Sequence, residues 1–131
     1  MTQDGASVVE YVAGLVARAR KAQKMAEAFT QEEVDKLVLC IAYGLGCRED
    51  VIHDLAASAL EETRLGDYAS KVAKLKGKSR GLLNDLRKQK SVGIVEDNKE
   101  TGLMRIVKPI GVIASLVPST QPEMHPMINA M

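Results

Sequence analysis

Apolar residues recur at helical spacing along the chain up to about residue 90. Val8, Val12, Leu15, Ala19, Ala22, Ala26 and Phe29 follow one another at intervals of four and three, which places them on one stripe of a single long helix. Arg18, Arg20, Lys21 and Lys24 take the other face. Ser7-Val-Val-Glu10 reads as a capping box that opens this helix, and Thr30-Gln-Glu-Glu33 as one that opens the next. In the second helix Val34, Leu37, Val38, Ile41, Ala42 and Leu45 share a face, and Gly44 and Gly46 weaken it and end it. A third helix is predicted over roughly 49–62, with Ile52, Leu55, Ala56 and Ala59 inward. Thr63-Arg-Leu-Gly66 breaks the pattern, and Asp67 is placed to cap a fourth helix carrying Val72 and Leu75. Gly77 and Gly81 are expected to interrupt the next stretch before Leu82, Leu83 and Leu86.

From Ser91 the helical period stops. Residues 92–95 and 103–107 are β-formers on either side of a polar stretch, 96–102, which predicts a hairpin. Pro109 and Gly111 then lead into the fully apolar run 112–117, expected to be a buried strand of a parallel sheet. That strand leaves through Pro118 into the polar loop Ser119-Thr120-Gln121, and a helix is expected to begin at Pro122. A strand feeding a polar turn and a helix N-terminus is a common way to hold a nucleotide or a developing anion, because free backbone N–H groups converge there. A lone apolar strand would leave both edges unpaired and both faces bare. The chain is therefore expected to be an N-terminal fragment of something longer. The expected organisation is a helical segment 1–90, a β-hairpin 91–108 and the start of a nucleotide-binding domain 109–131.

Composition narrows the chemistry. The length, 131 residues, suits one domain, and a hydrophobic share of 46% supplies a core. A net charge of +1 gives no overall pull toward nucleic acid or membrane, and the aromatics (Phe29, Tyr11, Tyr43, Tyr68, no Trp) are too few for base stacking. No apolar run approaches the ~20 residues of a membrane span, and no basic, apolar leader opens the chain. Cys40 and Cys47 form no disulfide framework and lack the histidines or second cysteine pair of a zinc site, so no metal is expected. Cys40 lies mid-helix among apolar residues, without the neighbours that activate a nucleophile.

Three stretches resemble the aldehyde dehydrogenase superfamily in its CoA-acylating branch. Leu60-Glu-Glu-Thr63, followed by Leu65-Gly66, Lys71 and Lys74, resembles that branch's acidic segment and basic helix. Lys108-Pro-Ile-Gly-Val-Ile113 is similar to the lead into its first nucleotide-domain strand, and Val117-Pro-Ser-Thr-Gln-Pro122 to the loop that ends it. Gly81-Leu-Leu-Asn-Asp-Leu86, Ser91-Val-Gly-Ile-Val-Glu96 and Thr101-Gly-Leu103 look most like acylating sulfoacetaldehyde dehydrogenases. The resemblance runs from about Val8 to the end of the chain and implies an aldehyde-dehydrogenase-like α/β fold: N-terminal helices, a hairpin and the first strand of a Rossmann-like sheet.

The resemblance also implies a mechanism. A cysteine attacks an aldehyde such as sulfoacetaldehyde, the thiohemiacetal gives its hydride to NAD or NADP, and the thioester passes its acyl group to coenzyme A. Pro118, Ser119 and Thr120 match positions beside the cofactor. Gln121 matches an oxyanion donor that is usually Asn, and Arg64 stands where the branch usually has Gly. The nucleophilic cysteine of relatives lies beyond the part matched here, so this chain alone is expected to be inactive. The implied parent is a cytoplasmic homo-oligomer, with a bacterial microcompartment as one setting, and its partners are the aldehyde and CoA. The rival reading, from a different class, is a non-catalytic helical interaction module derived from such an enzyme.

Other residues are weighed as ordinary structure. Lys71, Lys74, Lys76, Lys78, Arg80, Arg87, Lys88 and Lys90 read as a solvated face, with phosphate contact as the sharper alternative. His53 reads as a surface residue. His125 reads as surface or packing, with a substrate or CoA contact as the alternative. Ser119-Thr120-Gln121 could equally be a capped helix start.

Overall fold

The computed structural model describes residues 5–131, with side chains described from Ser7 onward. In order along the chain come α1 (Gly5–Ala26), α2 (Gln31–Gly46), α3 (Glu49–Thr63), α4 (Tyr68–Leu86), the strands β1 (Gly93–Asn98) and β2 (Leu103–Val107), and a short α5 (His125–Ala130). The chain gathers into two compact units, one of 1–31 with 90–114 and one of 32–89 with 115–131.

In the first unit α1 is already helical at Gly5, so Ser7 sits inside the helix and the expected capping box does not open it. The apolar stripe faces outward: Val8, Val12 and Leu15 are all exposed. The hairpin forms as expected. β1 and β2 pair antiparallel, Gly93 opposite Val107 and Asn98 opposite Leu103, with a bulge where Val95 has no partner between Ile94 and Glu96. Its turn is built by Asn98, whose Oδ1 accepts from the Glu100 and Thr101 N–H groups at 3.0 Å each. Gly102 closes it at φ 69°, a backbone shape that favours glycine. Gln31 fastens the start of the hairpin, its Oε1 accepting from Ser91 N–H at 2.8 Å and from Val92 N–H at 3.1 Å.

The second unit holds every buried hydrophobic side chain among the described residues. Ile52 and Ala56 of α3, Leu75 of α4, and Met124 and Met127 form one cluster, flanked by Ile41, Leu45, Leu55, Val72 and Met131. Thr30 directly precedes α2, where a capping residue belongs. Gly46, the last residue of α2, lies so close to α4 that a Cβ there would overlap Ser79 Cβ and Oγ. Ser79 is buried, and its hydroxyl donates to the Leu75 carbonyl at 2.5 Å.

Helix α3 ends where Arg64 adopts the left-handed conformation, φ 55°, and its N–H donates to the Leu60 carbonyl at 2.8 Å. Asp67 caps α4 as expected, accepting from Ser70 N–H at 2.9 Å, and its bonds to Ser70 hold its carboxyl below the usual range. Beyond that cap the expectation fails: α4 runs unbroken through Gly77 and Gly81. A helix anchored by Val72 and Leu75 against a core tolerates about 1 kcal/mol per glycine. Outside the core, Lys76 Nζ pairs with Glu49 Oε2 at 2.7 Å, and His53 Nδ1 lies 2.6 Å from the Tyr68 hydroxyl, joining α3 to α4 on their exposed side.

The run 112–117 makes no strand ladder. It is exposed instead, with Leu116 at 99% and Ile113 at 68%. Strand structure needs a neighbour to take its N–H and C=O groups, and among the described residues β1 and β2 are committed to each other.

Candidate functional site

The loop Pro118–Gln121 lies in the second unit and is shaped by two overlapping turns. Gln121 N–H donates to the Pro118 carbonyl at 3.3 Å. The Gln121 carbonyl in turn accepts from Met124 N–H at 3.2 Å and His125 N–H at 3.4 Å. Pro118, Ser119 and Thr120 are exposed and Gln121 is half-buried, so the loop presents two hydroxyls and an amide to solvent. The expected helix start at Pro122 is corrected: residues 122–124 form a turn, and α5 begins at His125 with Pro126 in its first turn. Pro122 cannot donate to a helix ladder, and two burial contacts intervene before the helix is established.

Those contacts are Glu123 and Met124, both buried, followed by Met127. Met124 and Met127 join the hydrophobic cluster. Glu123 is a charged side chain at 1% exposure, and its Oε2 lies 3.5 Å from Nζ of Lys71, itself at 4%. Neither Glu123 oxygen has a hydrogen-bond partner. Lys71 thereby departs from the solvated face expected of it. The signal was present in the sequence: Lys71, Leu75 and Ser79 are spaced by four and share the buried stripe of α4. At the far end of this stretch Asn129 Nδ2 donates to Ser115 Oγ at 2.6 Å, tying α5 to the residues that enter the loop.

A nicotinamide cofactor is compatible with this donor set. Ser119, Thr120 and Gln121 offer neutral hydroxyl and amide groups, and the loop carries no ionised side chain to repel a phosphate. The other candidate residues are not bonded to the loop. Cys40 and Cys47 are free and exposed. His53 is engaged with Tyr68 and Glu49 on the exposed side of α3. His125 is half-buried at the start of α5. No group of three or more His, Cys, Asp or Glu residues able to hold a metal occurs among the described residues, and no helix there is long and apolar enough to cross a membrane.

No protein-family model matches the chain. Curated relatives do. An acylating sulfoacetaldehyde dehydrogenase of Bilophila wadsworthia is 44% identical over 105 residues, 79% of this chain and 22% of that protein. An acetylating succinate-semialdehyde dehydrogenase of Clostridium kluyveri is 40% identical over 121 residues, 89% of this chain and 25% of the relative. A bifunctional aldehyde-alcohol dehydrogenase of Escherichia coli is 34% identical over 108 residues, covering 82% of the chain and 12% of its own length. Among solved structures, a probable aldehyde dehydrogenase from Listeria monocytogenes superposes with a TM-score of 0.80 at 34% identity, over 86% of this chain and 24% of that one. The chain thus spans 22–25% of the length of the two dehydrogenases it matches at 40% identity or better.

Proposed function

We propose a function from one premise: this chain is related, over most of its length, to the CoA-acylating branch of the aldehyde dehydrogenase superfamily. On that reading it forms part of an oxidoreductase that converts an aldehyde, coenzyme A and NAD(P)+ to acyl-CoA, NAD(P)H and a proton. The observation that carries this is the 44% identity with the sulfoacetaldehyde enzyme, which also makes sulfoacetaldehyde the first substrate to try. Succinate semialdehyde is the second. Both aldehydes carry an anionic group at the far end, so the substrate class is a short aldehyde with a terminal acid.

Within that enzyme the loop does the binding. Pro118, Ser119 and Thr120 lie against the nicotinamide cofactor, which when bound accepts the hydride. Gln121 donates from its side-chain amide to the oxyanion that develops when a cysteine, supplied from elsewhere in the protein, attacks the aldehyde. The half-buried position of Gln121, fixed through its own backbone by both turns, supports this role. The full-length protein works in the cytoplasm as a homo-oligomer, and the 131 residues alone are inactive.

The test is an assay of the full-length protein with sulfoacetaldehyde and with succinate semialdehyde, each with NAD+ and NADP+, with and without CoA. The expected result is nicotinamide reduction and acyl-CoA formation that require CoA. Absence of CoA-dependent reduction with both aldehydes would refute the enzymatic reading and leave the non-catalytic module.

A further inference from the structure

We propose that the buried Lys71–Glu123 pair is a positioning device that sets the orientation of the loop Pro118–Gln121. The proposal rests on the functional reading above for its catalytic consequence, but its structural half stands on geometry alone. The loop has little else to hold it. The residues leading into it, 112–117, make no ladder, and α5 behind it is six residues long, too short to be stable without tertiary support. What anchors the loop is the triplet Glu123, Met124 and Met127 immediately after it.

Two of those anchors are methionines, flexible side chains that fill space without fixing an angle. Glu123 differs. Its carboxylate and the Lys71 Nζ are both almost fully buried, 3.5 Å apart, and the carboxylate has no hydrogen bond to satisfy it. A buried pair of this kind gives no clear gain in stability over two well-packed apolar residues; registry is its best-attested use. Here it joins α4 at Lys71 to a point two residues past Gln121. The Met124 and His125 amides, which both donate to the Gln121 carbonyl, lie between that anchor and α5. Fixing Glu123 therefore fixes where the Gln121 backbone, and with it the side-chain amide, can sit.

The test uses the full-length protein and two readings: steady-state kinetics and hydrogen exchange at the Met124 and His125 amides. Lys71→Met and Glu123→Gln each leave a lone buried partner or drop the charge. Both should lower kcat about tenfold or more with a smaller change in KM, and both should speed exchange at these amides. The deciding variant combines Lys71→Met with Glu123→Met. An apolar pair should restore the melting temperature, yet kcat should stay low and exchange fast, because nothing directional is regained. A double variant with wild-type kcat and wild-type protection would overturn the proposal, leaving the pair as replaceable packing. If the double variant does not fold, Glu123→Gln decides by the same two readings. If the wild-type protein shows no CoA-dependent reduction, the functional reading fails, and exchange alone decides the positioning role: retained protection in the double variant refutes it, lost protection supports it.

Discussion

Gln121 illustrates how much one residue can be asked to do. Its backbone N–H and carbonyl serve two turns, which leaves the side-chain amide for other work. In the full-length enzyme Gln121→Ala should lower turnover by about 10²-fold or more, the scale of one lost oxyanion donor, with a smaller effect on cofactor affinity. Gln121→Asn should retain substantial activity. Kinetics of both variants beside their melting temperatures would separate this from a purely structural role, in which alanine leaves turnover intact. Arg64 makes a different point. It stands where the resembling branch usually has glycine, and it holds the left-handed φ of 55° that closes α3. A side chain there costs about 1 kcal/mol against glycine. Arg64→Gly should raise stability by about that amount in a denaturant titration, since Arg64 is exposed. Asp67 was readable as a cap because its neighbours are local; Lys71 was misread because its partner, Glu123, is distant in sequence.

At the scale of elements, the glycines of α2 and α4 carry the same letter and opposite meanings. Gly46 is packed against Ser79, and a Cβ would collide with it. Gly77 and Gly81 have nothing within 4 Å of an added Cβ. Gly46→Ala should therefore destabilise the chain by about 1–3 kcal/mol through overpacking. Gly81→Ala should stabilise it by about 0.5–1 kcal/mol through helix propensity. Thermal or denaturant melts of the two variants check the opposed signs; a neutral Gly46→Ala would show that α2 and α4 can separate at no cost. Pattern alone read both α4 glycines as breaks, because a period calculation sees composition but not the core that Leu75 reaches. The segment 112–117 failed in the reverse sense. Its residues are strand formers, but strand formation is a property of a pair.

For the molecule as a whole, the exposed apolar surface is the dominant fact. Val9 at 68% and Tyr11 at 67% stand open on α1, and Ile110 at 88% and Leu116 at 99% stand open beyond the hairpin. Surfaces of this kind mark interaction sites or aggregation liabilities. The 131-residue chain by itself should self-associate and bind a hydrophobic dye; a monodisperse monomer by sedimentation, without dye binding, would contradict this. Four long helices, the hairpin, the α3–α4 break with its Asp67 cap, and the apolar positions Ile52, Ala56 and Leu75 were fixed by local sequence, since capping, turn chemistry and periodicity act over a few residues. The resemblance to the aldehyde dehydrogenases was equally legible, as short motifs in order. Tertiary structure alone decided the rest. It buried Lys71 against Glu123, made Gly46 irreplaceable beside Ser79, carried α4 through two glycines and left 112–117 unpaired. Each of these depends on a partner brought close by folding, and no local pattern encodes the identity of a distant neighbour.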